Sequence, residues 1–349
     1  MRKILEIQKQ LLPDLMEILK KRYNILHQIK LSELVGRRTL ATSLGMTERV
    51  LRAETDLFKE QGLIESESAG MRLSSAGEKL VEDLESIVKE LFGLTNMEER
   101  IREHFGLQQV LIVPGDSDVS PMTKRDLGLA ACKVLRKVMG KDDVVAVTGG
   151  STLAQMAEQM TSMSPMKTNW FVPARGGLGE SLEYQANTIA SMMAKRVGAQ
   201  YRLLHVPDLL SDEAYQSLMQ EPNIHEIVEF IRRARIVVHG IGDAFAMAKR
   251  RRVDQQTVDS LRQDGALAEA FGYYFDRNGN VVHKMLSLGL RLEEIQQMQV
   301  VIAIAGGASK GEAVHSVLKF GRETVLIIDE GAANVIVKIL DAEEQTEVH

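Results

Sequence analysis

Three glycine-bearing segments carry the residues best suited to chemistry in this 349-residue chain. In Val147-Thr148-Gly149-Gly150-Ser151-Thr152, a β-branched run passes into an apolar helical pattern from Leu153 to Met160. Gly149 and Gly150 let backbone N–H groups close on an anion, Ser151 and Thr152 add hydroxyl donors, and the helix start adds positive potential. Ala305-Gly306-Gly307-Ala308-Ser309-Lys310-Gly311 repeats the arrangement and adds a cation, Lys310, while Val172-Pro173-Ala174-Arg175-Gly176-Gly177 sets Arg175 at a strand end. Together the segments predict a site for an anionic metabolite, with two loops able to take two phosphates. Neither glycine loop has Walker spacing, and Gly240-Ile241-Gly242 continues into Asp243-Ala244-Phe245, so the dinucleotide fingerprint fails at its third small position. No HExxH or CxxC motif occurs and the eight histidines are scattered. His239, at a strand end, reads as a structural histidine, and the sequence points to no metal, no cofactor and no catalytic group.

A second set of charges lies near the N-terminus. From Lys20 to Lys59 there are nine basic and four acidic residues, a surplus of +5, whereas the whole chain carries −5. A basic patch on an acidic body is the footprint of a nucleic-acid partner. The pattern around it is helix, turn, helix: Asp14 to Gln28 holds an apolar stripe at Leu15, Ile18, Leu19, Tyr23 and Leu26, and Gly45-Met46-Thr47 opens a helix from Glu48 to about Gln61. Ala41 permits close helix crossing, Gly45 supplies the turn, and Thr47 is an N-cap. Leu51 and Phe58 then face the core, which leaves Thr47, Arg49 and Arg52 for base edges and Arg37 and Arg38 for phosphates. Gly62 to Glu65 and Met71-Arg72-Leu73 read as the strands of a wing with Arg72 near its return. The segment is expected to be a winged helix-turn-helix that binds double-stranded DNA.

The rest of the chain must position the anion site. Apolar residues at 44% and charged residues at 26% are ordinary for folded proteins and exclude a disordered chain or a coiled-coil rod. The longest uncharged runs fall well short of the roughly 20 apolar residues of a membrane span, and Arg2, Lys3, Glu6 and Lys9 interrupt any signal-like start, so a cytoplasmic location is expected. The lone Cys132 reads as a buried thiol. A stripe of Leu80, Leu84, Ile87, Val88 and Leu91 forms a connecting helix, taken to support dimerisation, and Thr95 or Asn96 caps a short helix from Met97 to His104. Domains of 1–93 and 94–349 follow. Strands are expected at Val110–Val113, Val144–Thr148, Trp170–Pro173, Arg202–Val206, Ile236–Gly240, Val300–Ala305 and Thr324–Ile328, alternating with helices, which makes an α/β domain with a mainly parallel sheet. In such sheets ligands bind beyond the carboxyl ends of the strands, where the glycine loops lie.

These residues resemble a known family. The winged helix, VAVTGGST, PARGG, the helix starting near Asn187, VVHGIGDA and the AIAGGASKGEAVHSVLKFGRETVLIIDEGAA block are similar to the SorC/DeoR-type sugar-responsive transcriptional regulators, most closely the branch controlling glycolytic genes. The resemblance implies a homo-oligomeric repressor, dimer or tetramer, whose C-terminal domain has a sugar-phosphate isomerase/deaminase-like fold and binds its sugar without converting it. It implies fructose 1,6-bisphosphate as effector, with Gly149, Gly150, Ser151, Thr152 and Lys310 on phosphate, Arg175 and Arg250 on the other phosphate or the sugar, and Glu269 on sugar hydroxyls. Gln185 is a further implied contact. The competing class is a sugar-phosphate isomerase or deaminase carrying a DNA-binding domain, since fold alone does not select function.

Overall fold

A computed structural model describes residues 11–32, 34–67, 69–161, 166–177 and 181–347. The described residues fall into two compact units divided between Met97 and Glu98, with Ser120–Met122 grouped with the first. That division lies inside the helix Leu94–Phe105, which begins just after Gly93 and so swallows the caps expected at Thr95 or Asn96.

The first unit is helix Pro13–Ser32, helix Arg37–Ser43, helix Glu48–Glu60, strands β1 (Ile64–Glu67) and β2 (Gly70–Leu73), and helix Ser75–Leu91. β1 and β2 form an antiparallel hairpin, and Val35 pairs with Met71 beside it, so the wing is anchored to the turn before the second helix. Gly45, at φ +61°, makes the turn between the second and third helices. Thr47 caps the third helix, its hydroxyl accepting from Val50 N at 3.3 Å. The core gathers Tyr23, Ile25, Leu26, Ile29, Leu40, Leu51, Phe58, Ile64 and Met71. Leu15 and Ile18 are exposed, contrary to the expected stripe, because the buried face of the first helix begins at Tyr23. Helix Ser75–Leu91 packs on the first helix and sends Val81 and Val88 into this same core. Leu80 and Leu84 of its apolar stripe also pack against this core.

In the second unit the short β-branched runs become a parallel sheet: β3 (Gln109–Val113), β4 (Val144–Val147), β5 (Trp170–Pro173), β6 (Gln200–Tyr201), β7 (Ile236–Gly240), β12 (Val300–Ile304) and β13 (Val325–Asp329). The order is β3-β13-β12-β7-β4-β5-β6. The expected strand Arg202–Val206 is absent from it. Instead the Asn187 amide takes both main-chain groups of Leu204, donating to its O at 2.9 Å and accepting from its N at 3.0 Å, and thereby replaces a neighbouring strand. A second sheet went unread in the sequence: β8 (Gly242–Asp243), β9 (Ala268–Ala270), β10 (Tyr273–Phe275) and β11 (Val281–Lys284), antiparallel in the order β11-β10-β9-β8. Its strands are two to four residues long, too short to show alternation.

Sheet winding positions the site. From β4 the chain proceeds outward through β5 and β6, then returns to lay β7 on the other side of β4 and continues the opposite way through β12 and β13. Loops leaving the carboxyl ends of β4 and β7 thus diverge, and a crevice opens between them.

The helix register in the first unit is testable by paired truncations. Leu51 is fully buried, so Leu51→Ala should cost about 2–5 kcal/mol in chemical denaturation. Val50, one residue earlier and 43% exposed, should lose less than about 0.5 kcal/mol on truncation to Ala; similar losses at both positions would refute this register.

Candidate functional site

The loop after β4 is built by two glycines with different tasks. A Cβ on Gly149 would collide with the Tyr184 carbonyl, so only glycine allows that approach. Gly150 sits at φ +126° and donates its N–H to the same carbonyl at 2.9 Å. Thr148 ties the loop to β7: its N–H donates to Val238 O at 3.1 Å and its Oγ1 accepts from Gly240 N at 3.3 Å. Helix Ser151–Gln159 begins at the loop, and Lys124 Nζ donates to Ser151 Oγ at 3.4 Å. Lys124 was not singled out in the sequence, where nothing marks it among the other lysines.

Beside this loop is a cavity of about 470 Å³. Gly149, Gly150, Ser151, Thr152, Arg175, Gln185, Arg250, Glu269 and Lys310 all line it, although they come from six separate stretches of chain. The second glycine loop differs from expectation. Its amides are already taken by carboxylates: Gly307 N donates to Asp329 Oδ2 at 2.6 Å, Ala308 N to Asp116 Oδ1 at 3.3 Å and Ser309 N to Asp118 Oδ2 at 2.8 Å. Asp116 and Asp118 are some 190 residues away in sequence, which hides the arrangement from a local reading. This loop therefore presents the Lys310 side chain to the cavity and does not cradle an anion with its backbone. Lys310 forms no ion pair among the described residues; burial, then Lys124 and Arg250, pull its pKa below the usual lysine range. A cation held neutral-ward by other cations is primed for an anion.

Deeper in the cavity four charged side chains are buried together. Arg175, Asp208, Arg251 and Glu269 are each at most 8% exposed. Arg175 Nε donates to Asp208 Oδ1, Arg251 Nε to Asp208 Oδ2 at 2.9 Å, and Arg251 Nη2 to Glu269 Oε1 at 2.9 Å. Gly272 N also donates to Glu269 Oε1, and a Cβ on Gly272 would strike the Arg175 guanidinium. Burial lowers the pKa of Arg175; burial also opposes the charge of Arg251, but Glu269 and Asp208 outweigh it and raise its pKa. Arg251 and Asp208 were missed in the sequence. Arg251 stands in Lys249-Arg250-Arg251-Arg252, where Arg250 ends a helix with its side chain exposed, Arg251 caps that helix and turns inward, and Arg252 takes φ +51°.

The N-terminal arginines occupy an exposed surface. On the third helix Arg49 and Arg52 point outward, opposite buried Leu51, Thr55 and Phe58. Arg38 pairs with Glu48 at 2.9 Å, Arg37 and Arg52 each approach Asp56 at 3.9 Å, and on the wing Arg72 pairs with Glu65 at 2.8 Å and Glu67 at 3.1 Å. Such exposed pairs are worth about 0–1 kcal/mol, so a phosphate can take the arginines over. Thr47 Oγ1 accepts the cap hydrogen bond and keeps its O–H to donate.

A winged helix in one unit and a cation-rimmed cavity in the other define a ligand-responsive DNA-binding regulator. Residues 18–88 match the family model "CggR N-terminal DNA binding domain", and residues 89–338 match "Putative sugar-binding domain". The chain is 47% identical to the Central glycolytic genes regulator of Priestia megaterium and 44% identical to that of Bacillus subtilis, in both cases over 97% of this chain and 99% of the relative. A crystal structure of a SorC family transcriptional regulator from Enterococcus faecalis superposes with a TM-score of 0.66 at 42% identity, covering 69% of this chain and 99% of that one. The chain belongs to the SorC family of sugar-binding transcriptional regulators, with an N-terminal DNA-binding domain and a C-terminal sugar-binding domain. No described helix is long and apolar enough to cross a membrane, and no cluster of metal-ligating side chains occurs among the described residues.

Behind the cavity wall lies a buried acid beside a buried histidine. Phe271, which lines the cavity at φ +55°, packs against His239 with the rings tilted by 35° and their centroids 4.3 Å apart. His239 Nε2 faces Glu323 Oε1 at 3.7 Å, and both side chains are almost fully buried. Burial lowers His239 to about 4 and raises Glu323 to about 7, so both are largely neutral between those values. Burial likewise pushes the Cys132 thiol up to about 12, which leaves it inert. The Glu323 shift has a signed consequence. A carboxyl raised from 4.5 to about 7 stabilises the fold relatively at low pH, and that contribution is lost as pH rises through 7. Lowered His239 acts oppositely, losing stability as pH falls from 6.5 towards 4. Glu323→Gln should therefore gain on the order of 2–4 kcal/mol relative to the parent between pH 5 and pH 8. Denaturation curves at the two pH values check this, and a parallel shift of both proteins would contradict it.

Proposed function

We propose that the chain is a repressor of glycolytic genes that binds operator DNA as a homo-oligomer and is released by fructose 1,6-bisphosphate. The observation that carries this reading is the convergence of nine residues on one cavity in which Lys310 and Arg250 form no ion pair among the described residues. A bisphosphate supplies the negative charge those cations lack, and the N–H and hydroxyl groups of Ser151 and Thr152 at a helix start suit one phosphate. Likeness to the two glycolytic regulators over nearly the full chain supports the gene class. Paired winged helices match two operator half-sites, which supports an oligomer. The relatives regulate transcription, and the chain is read as a binder of its sugar, not as an isomerase or deaminase.

Control is then a matter of linkage. The effector shifts DNA binding only by its differential affinity for the DNA-binding and released states. Thr47, Arg49, Arg52, Arg37, Arg38 and Arg72 serve the DNA, and the cavity residues serve the effector. With an operator selected from random duplexes by the full-length chain, Arg52→Ala should weaken retardation at least tenfold and leave bisphosphate titrations unchanged. Lys310→Ala should do the reverse, losing about tenfold or more in bisphosphate affinity, about 1.4 kcal/mol, while holding DNA that the effector no longer releases. Wild-type retardation by Arg52→Ala, or wild-type bisphosphate affinity in Lys310→Ala, would count against the assignment.

A further inference from the structure

We propose that helix Gly311–Phe320 carries the state of the cavity to helix Leu94–Phe105 through the contact of His315 with Phe105, and so couples the ligand to the segment that leads into the DNA-binding unit. The proposal rests on the reading that a sugar phosphate in the cavity releases DNA. It gives Phe105, His315 and Glu343 a part in coupling, with no contact to either ligand.

Attachment to the cavity is the first argument. Lys310, which lines the cavity, is the N-cap of this helix, and His315 follows about 7 Å along its axis. A Cβ on Gly311 would collide with Val335 of helix Glu330–Glu347, so the helix starts hard against its neighbour. Its flank is fixed to the small antiparallel sheet: Ser316 Oγ donates to Asp276 O at 2.6 Å, and Phe320 meets Phe275 of β10 with ring centroids 5.4 Å apart. That sheet also supplies Glu269 and, in the turn after β9, Phe271 to the cavity. A ligand that shifts Lys310 or this sheet therefore displaces the helix.

Packing is the second. Gly311 and every residue from Ala313 to Leu318 are buried, and close-packed elements transmit displacement instead of absorbing it. On the other side of the helix the Phe105 ring stands edge-on to His315, with centroids 5.6 Å apart. Helix Leu94–Phe105 is seated by Arg100, which donates to Asp341 and Glu344, and by Glu98, whose Oε1 accepts from Ile112 N at 2.7 Å. Its first turn belongs to the first unit.

A contact with two settings is the third. His315 Nε2 is buried without a hydrogen-bond partner, and Glu343 Oε2 stands 3.6 Å away, just beyond hydrogen-bond reach. Lys319 Nζ holds the other oxygen of Glu343 at 2.6 Å, so the carboxylate is already aimed. A displacement of less than about 1 Å closes the gap, within the roughly 1–2 Å by which packed helices shift in switching proteins. The helix thus has two arrangements, with Nε2 unpaired or bonded to Glu343. Packing alone gives no reason for a nitrogen here, since a buried polar atom without a partner is costly and an apolar side chain of similar size is not.

The test measures binding of the full-length protein to the selected operator with and without saturating fructose 1,6-bisphosphate, and titrates bisphosphate into the DNA-free protein. Phe105→Ala and His315→Leu should each keep both separate affinities within threefold of wild type, while bisphosphate weakens their DNA binding at least tenfold less than it weakens that of the wild type. The double variant should lose no more coupling than the worse single variant, as residues that share one contact do. Wild-type release by either single variant would overturn the proposal. So would a loss of more than threefold in bisphosphate affinity of the DNA-free protein, which would place these residues in ligand binding, or additive losses in the double variant. If Phe105→Ala melts at assay temperature, Phe105→Leu is read by the same criteria. A wild type that binds no operator, or whose operator binding is unchanged by bisphosphate, would overturn the regulatory reading itself, and this coupling with it.

Discussion

Arg175, Asp208, Arg251 and Glu269 hold one another in a place where none could remain alone. Breaking a buried ion pair by removing one partner typically costs about 3–5 kcal/mol, because an uncompensated charge is left in the interior. The cluster therefore constrains four stretches of chain at once: the end of β5, the loop that carries Asp208, the cap of helix Ala244–Arg250 and the small antiparallel sheet through β9. Gly272 must be glycine for Arg175 to fit, and the strained backbone of Phe271 lies in the same turn. The geometry of the cavity follows from this network more than from the glycine loops that first drew notice.

The glycine loops have unlike roles despite like sequences. After β4 the two glycines bring the chain against the Tyr184 carbonyl and deliver Ser151 and Thr152 to the cavity at the start of a helix. After β12 the amides of Gly307, Ala308 and Ser309 are held by internal carboxylates, and the functional product is one lysine aimed inward. An acidic chain thus brings Lys124, Arg250 and Lys310 near one another beside the cavity.

What the sequence disclosed and what it hid follow from range. Val144–Val147 and Ile236–Gly240 were legible because strands buried on both faces are continuous apolar runs. The Thr47 cap and the Gly45 turn were legible because capping and turn chemistry are local. Leu204 reads as a strand residue until Asn187 satisfies its main chain, and Leu15 and Ile18 repeat with the core residues of their helix yet remain exposed. Residues of the cavity that follow strands could be proposed from motif and resemblance. Asp208 and Arg251 could not, since one lies in a loop without a motif and the other differs from its arginine neighbours only by the turn of the backbone at a helix end.

The two units divide the work of recognition, one presenting exposed arginines held by weak pairs and the other a cavity with a neutral interior and a cationic side. In the proposed function this cavity binds a sugar through its phosphates and its hydroxyls together. Calorimetric titration of the full-length protein with fructose 1,6-bisphosphate and, separately, with fructose tests it most directly. Saturable binding of one bisphosphate per chain, with no measurable binding of fructose at the same concentrations, is the predicted result; equal binding of the two, or binding of neither, would contradict it.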